Sequence, residues 1–168
     1  IYHKNSTIKI DETEILKVKI NQKNIFKIKK KIENIIKLYP SSVKLRLDFN
    51  GILDLPRAIR VCRELEAYNI DYIEQPLPVK NNQDLYDLRM STDIPIAVDE
   101  SISDYESAIY IIEESAADVL IIKPTITGSF NDIKKIISLS NAEGLKTIIT
   151  SSFETSVAFA CDNILFIV

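Results

Sequence analysis

Three carboxylates, Asp48, Glu74 and Asp99, each end a short apolar run, and lysines stand at comparable places, Lys17 and Lys19 before them and Lys123 after them. Acids from adjacent strands offer the hard oxygen set that an octahedral magnesium ion accepts while keeping positions open for substrate and water. Packed without a cation, they would repel one another. One such acid alone reads as a strand end facing water or a helix cap. Three in register on separate strands favour a metal centre, with Mg2+ the expected ion. Lys17 and Lys19 lie two apart, so both point to one face of a strand while Leu16, Val18 and Ile20 point to the other. Taken alone, this is a half-wetted strand. With Lys123 facing the pair across a shared mouth and a metal between them, the cation and neighbouring lysines would lower a lysine pKa toward working pH. A lysine so placed can take a proton. Lys123 precedes Pro124, which fixes the chain direction, and follows the apolar Val119–Ile122, which sets it apart from a merely solvated strand end. The only histidine, His3, lies near a chain end. That removes serine-histidine triads, histidine zinc sites and a histidine base, and leaves the proton chemistry to lysine.

The elements that must position these groups follow a regular beat. Runs rich in Ile and Val at Glu14–Ile20, Val43–Asp48, Ile70–Glu74, Ile94–Asp99, Asp118–Lys123 and Lys146–Ser151 read as mostly buried strands. Helical patterns fill the gaps. In Asn24–Tyr39, residues Ile25, Ile28, Ile32, Ile35, Ile36 and Tyr39 follow one helix face. Asp54 can cap the next helix, with Pro56 in its first turn, and Asp104 and Ser129 can open two more. Strand and helix in alternation mean a parallel sheet, either doubly wound and open or curved into a barrel. Lys19, Asp48, Glu74, Asp99, Lys123 and Ser151 fall at strand ends spaced about 24–29 residues apart. One functional side chain per strand end builds one site only where all the ends converge, as in a barrel. With three glycines in the chain, no glycine-rich phosphate loop follows a strand.

A formal charge of −3, from 21 basic and 24 acidic residues, provides no excess positive field for nucleic acid. No run of 18 apolar residues and no signal-peptide order appears, so a membrane partner is not expected. Two cysteines, Cys62 and Cys161, with Cys62 in a helical apolar stripe, fit a reducing, cytoplasmic setting.

In order, Lys17-Val18-Lys19, Leu47-Asp48-Phe49-Asn50-Gly51, Ile73-Glu74-Gln75-Pro76, Asp99-Glu100-Ser101, Lys123–Ser129 and Ser151–Ser156 resemble the enolase superfamily from its second to its seventh barrel strand, over about Glu14 to Ala160. Lys123–Ser129 with Ser151–Ser156 is similar to the o-succinylbenzoate synthases of menaquinone biosynthesis in particular. The resemblance implies magnesium on Asp48, Glu74 and Asp99, with Asn50 and Glu100 supporting that shell by hydrogen bonds. Enolase-superfamily sites in general pair a lysine or histidine base with magnesium that stabilises an enediolate. The resemblance makes Lys19 the general base and acid, Lys123 the group that steadies charge from the opposite face, and Lys17 a holder of Lys19 and the substrate carboxylate. The reaction implied is dehydration of 2-succinyl-6-hydroxy-2,4-cyclohexadiene-1-carboxylate to o-succinylbenzoate. Gly128, Ser129, Ser151 and Ser152 are candidates for substrate contact, and equally for a turn glycine and helix-capping serines. Racemisation or epimerisation of acylated amino acids or dipeptides, and a non-catalytic fragment that needs a partner chain, are the rival readings.

A complete barrel of eight units takes about 250 residues, whereas this chain has 168 and shows about six units. Residues 1–13 read as a short N-terminal segment, with Ser6–Ile10 as a short strand, and residues 14–168 as an incomplete α/β barrel domain of the enolase-superfamily type. The superfamily's N-terminal capping domain is not visible. A start without Met and an apolar end at Ile164–Val168 point to a missing segment, a partner chain or a homo-oligomer.

Overall fold

Asn24, Asp54, Asp104 and Ser129 each close an extended stretch and open a helix. Asn24 Oδ1 accepts from the Lys27 N–H at 3.2 Å and Asp54 Oδ1 from the Arg57 N–H at 2.9 Å, with Pro56 in that first turn. Asp104 with Ser107, and Ser129 with Asp132, form reciprocal capping boxes. These local bonds satisfy N–H groups that a helix start otherwise leaves orphaned.

The computed structural model describes residues 14–79 and 82–150. Over them run β1 (Ile15–Lys19), α1 (Ile25–Ile36), β2 (Lys44–Asp48), α2 (Leu55–Leu65), β3 (Ile70–Glu74), α3 (Asn82–Arg89), β4 (Ile96–Val98), α4 (Tyr105–Glu113), β5 (Val119–Ile122), the single turn α5 (Pro124–Thr127), α6 (Phe130–Ala142) and β6 (Lys146–Ile149). Strand β4 is shorter than its apolar run, because Pro95 lacks an N–H to give to the ladder.

All six strands pair in parallel in the order β1-β2-β3-β4-β5-β6. Alternate side chains go to opposite faces. Leu45, Leu47, Ile73, Ile96, Val98, Leu120 and Ile122 join Ile28, Ile32, Ala58, Val61, Leu65, Ile111 and Ile136 of the helices in one core. The opposite face carries a smaller apolar cluster of Tyr72, Ala97, Val119 and Ile121, with Ile148 against it and, among the described residues, no helix residue in it. Helices on one face, and a strand order that never reverses, make this a half-barrel wall, not a doubly wound sheet. Cys62 is buried and free in the outer core, where burial pushes its thiol up to about 12, an inert packing role. Cys161 and residues 151–156 lie outside the described residues.

Candidate active site

The parallel register sets Lys19 beside Asp48 and Asp48 beside Glu74, so the last residues of β1, β2 and β3 share one level. Asp99 follows β4 directly and Lys123 follows β5. All five therefore stand at C-terminal strand ends, on the face that carries Tyr72 and Ala97. Asp48 and Asp99 are 7% exposed and Glu74 1%.

Two ammonium groups hold these acids. Lys17 Nζ donates to Glu74 Oε1 at 2.7 Å and lies 3.2 Å from Asp48 Oδ2, bridging two strands. Lys123 Nζ donates to Asp99 Oδ2 at 2.7 Å and lies 2.6 Å from Oδ1, the latter an ion pair without an aligned hydrogen bond. Burial alone would pull the Lys17 ammonium down, but the hydrogen bond and charge of Glu74, followed by those of Asp48, hold it above the usual lysine range. Burial, reinforced by the charges of Asp48 and Asp99, raises the Glu74 carboxyl against the opposing pull of Lys17. Below them, Arg46 lies 4.9 Å over the Tyr72 ring and pairs with Asp71 at 2.7 Å.

The loops above the strands are stitched together. Asn50 and Gly51 take positive φ of 44° and 69°, a tight turn in which a Cβ on Gly51 would meet Leu77 O and Pro78 Cα at 3.1 Å. That turn lets the Asn50 N–H donate to Asp48 Oδ1 at 3.1 Å and its Nδ2 to Glu100 Oε1 at 2.6 Å. Gln75, which sequence reasoning left without a role, is fully buried at a positive φ of 38°. Its Nε2 donates to Leu77 O and Ser101 Oγ, both at 2.8 Å, and its Oε1 accepts from the N–H groups of Asp99 and Ser101, both at 3.1 Å. The signal was present in the Glu74-Gln75-Pro76 run, but a buried amide with several partners is visible only when three loops meet. Gly128 takes a φ of 147° and Ser129 spends its hydroxyl on the α6 cap, donating to Asp132 Oδ2 at 2.6 Å. Neither lines the cavity at the strand ends, which Lys17, Lys19, Asp48, Asn50, Asp99 and Lys123 do line. Ser151 and Ser152 lie outside the described residues.

Among the described residues, no three Asp, Glu, His or Cys side chains close tightly enough to form a ready metal cage. Lys17 stands between two of the acids. The donor set nevertheless fits a hard divalent ion. Glu74 Oε2 is buried without a hydrogen-bond partner, a costly arrangement for a carboxylate oxygen that a cation would relieve.

A family model described as enolase C-terminal domain-like matches residues 8–167. The chain belongs to that family. The o-succinylbenzoate synthase of Thermobifida fusca (strain YX) is 32% identical over 117 residues, covering 70% of this chain and 35% of that protein. A hydrophobic dipeptide epimerase of Flavobacteria bacterium (strain MS024-2A) is 38% identical over 126 residues, covering 74% and 34%. The crystal structure of L-talarate dehydratase from Polaromonas sp. JS666, complexed with Mg and L-glucarate, superposes with a TM-score of 0.80 at 27% identity, covering 90% of this chain and 42% of that one. The chain thus spans about a third of the length of the curated relatives it matches. Enolase-superfamily members use a divalent metal such as Mg2+, and the described residues contain no helix long and apolar enough to cross a membrane.

Proposed function

We propose that this domain carries the catalytic centre of a magnesium-dependent dehydratase that converts 2-succinyl-6-hydroxy-2,4-cyclohexadiene-1-carboxylate to o-succinylbenzoate. The observation that carries the reading is the convergence of Lys17, Lys19 and Lys123 with Asp48, Glu74 and Asp99 at the C-terminal ends of neighbouring parallel strands. The similarity to an o-succinylbenzoate synthase supports the choice of reaction. Asp48, Glu74 and Asp99 would hold the metal, and Asn50 and Glu100, bonded to each other, would keep Asp48 and the β4 loop in place. When bound, a divalent ion supplies positive charge against the substrate carboxylate as its neighbouring C–H bond weakens.

Lys19 lines the cavity with no acidic partner among the described residues, so its Nζ is free to approach the substrate's C–H bond, and by this reading it takes that proton. It then returns the proton to the departing hydroxyl: the C–H and C–O bonds break, a ring double bond forms and water leaves. Lys123, from the other side, steadies the negative charge in between, and Lys17 holds the carboxylate end. The same two flanking lysines could instead remove and replace one α-proton from opposite faces, and the 38% identity to a dipeptide epimerase favours that as the second reading.

The test is turnover by the purified protein with Mg2+, assayed on the cyclohexadiene substrate and on dipeptides. Dehydration is expected, and Lys19→Ala should lower it by at least about 100-fold, the contribution of a positioned acid-base group. Epimerisation alone would replace the first reading with the second. A folded, magnesium-binding protein inert on both would defeat both and leave a non-catalytic unit that needs a partner chain.

A further inference from the structure

Glu74 and Asp99 are brought together past the point where the sheet stops. Strand β4 ends at Val98, so Asp99 lies one residue beyond it, and its N–H goes to a side chain, Gln75 Oε1, at 3.1 Å. The same oxygen accepts from the Ser101 N–H at 3.1 Å, while Nε2 donates to Leu77 O and Ser101 Oγ at 2.8 Å each. These partners fix the orientation of the amide, because two N–H groups need its oxygen and a carbonyl needs its nitrogen.

The Gln75 backbone reaches both neighbouring strands as well. Its N–H donates to Ala97 O at 2.8 Å on the β4 side, and its carbonyl accepts from the Gly51 N–H at 2.7 Å on the β2 side. Gly51 follows Asn50, whose N–H holds Asp48 Oδ1 at 3.1 Å. One residue adjoining Glu74 thus ties the loops that carry Asp48 and Asp99. Strands β2, β3 and β4 are flanked by β1 and β5, so this junction lies away from both edges of the described sheet.

By its backbone the position asks for glycine, since Gln75 takes a left-handed φ of 38°. Glycine, however, has no amide to hold Asp99. A carboxylate there would set a fourth negative charge among Asp48, Glu74 and Asp99. An octahedral magnesium ion tolerates little error in the spacing of its oxygens, and the candidate oxygens stand on three separate strands. A neutral, fully buried amide that spans two loops meets both demands.

We propose that Gln75 is a positioning residue of the metal centre, its amide and backbone locking the β2, β3 and β4 loops into one unit that sets the separation of Asp48, Glu74 and Asp99. The inference rests on those three acids being the metal ligands of the function proposed above.

Calorimetric titration of the full chain with Mg2+, beside native-state hydrogen exchange, tests it. In Gln75→Asn the amide is one methylene shorter, on a residue that takes the left-handed backbone readily. This variant should bind Mg2+ about tenfold or more weakly than the parent, the worth of an outer-shell partner. Leu88→Ala, which empties part of the buried core behind the sheet, lowers stability by another route and should keep the Mg2+ affinity within about twofold. In the parent, the Gly51, Asp99 and Ser101 amides should exchange through one shared opening, and Mg2+ should slow all three by the same factor. That measurement needs no variant and decides the matter if Gln75→Asn does not fold. Unequal slowing, a folded Gln75→Asn with the parent's affinity, or an equal loss of affinity in Leu88→Ala overturns the positioning role. A parent that binds no Mg2+ defeats the metal reading itself, and this inference falls with it; a parent that binds Mg2+ while the three amides open independently defeats the inference alone.

Discussion

Glu74 is held in a place that suits a ligand better than a structural residue. Its carboxyl is raised by burial and by the nearby Asp48 and Asp99 charges, even with Lys17 bonded to it. A carboxyl whose folded pKa lies above its unfolded value contributes stability below the unfolded value and loses it as pH rises through the folded one. In metal-free protein, ionised Glu74 therefore costs stability near neutrality. Glu74→Gln is expected to melt at a higher temperature than the parent in chelator at pH 7, with the gap narrowing toward pH 4, while losing magnesium affinity. Melting curves across that range, with and without Mg2+, check it; a variant less stable than the parent at every pH would refute the reading of Glu74 as a strained ligand. Gln75, next in sequence, is the opposite case, a buried amide with every polar atom engaged. Gln75→Leu strands the N–H groups of Asp99 and Ser101 and the Leu77 carbonyl, and should cost at least about 3 kcal/mol by denaturant titration. A loss under 1 kcal/mol would mean that water replaces the amide. Sequence reading found Glu74 and overlooked Gln75 for one physical reason. A carboxylate at a strand end carries its chemistry in its residue type, whereas the Gln75 bonds exist only after β3 and β4 have paired.

The helix starts at Asp54, Asp104 and Ser129 were legible because a cap is made with neighbours three residues away. Helix α3 was not singled out, since it buries only Leu85 and Leu88, and α5 is one turn set off by Pro124. The capping boxes carry their own pH signature. The Ser107 backbone N–H, and then its hydroxyl, hold the Asp104 carboxyl below the usual aspartate range, and the Ser129 hydroxyl and N–H do the same for Asp132. A depressed carboxyl contributes stability above its unfolded pKa and loses it as pH falls through the folded value. Asp104→Ala should therefore destabilise the protein at pH 7, and its melting temperature should approach the parent's as pH drops below about 4, the ordinary aspartate range. A gap of constant size down to pH 2 would show that the cap acts through shape and not charge.

At the scale of the molecule, even spacing of polar strand ends was enough to expect a barrel wall, and the single unreversed strand order bears that out. Cross-strand ion pairs were not foreseeable, because Lys17 and Glu74 stand 57 residues apart and meet only across β2. Strands β3 and β4 each have a neighbour on both sides, while β1 and β6 have one among the described residues. On β1, Ile20 gives its N–H to the Asp48 carbonyl at 2.7 Å, so by the alternation of a strand the amides of Lys17 and Lys19 face away from β2. Ile73 and Gln75 give theirs to Pro95 and Ala97, inside the sheet. Native-state hydrogen exchange should thus find the Lys17 and Lys19 amides open to local exchange, and those of Ile73 and Gln75 protected until the sheet unfolds. The Lys19 carbonyl points the same way as its amide, which is why a lysine from α1 can reach it. Equal protection at Lys17 and Lys19 would mean that a further strand covers this edge in solution. Such a strand would take the Lys19 carbonyl that Lys31 now holds, so the exchange rates of these two amides decide whether the barrel wall continues past β1.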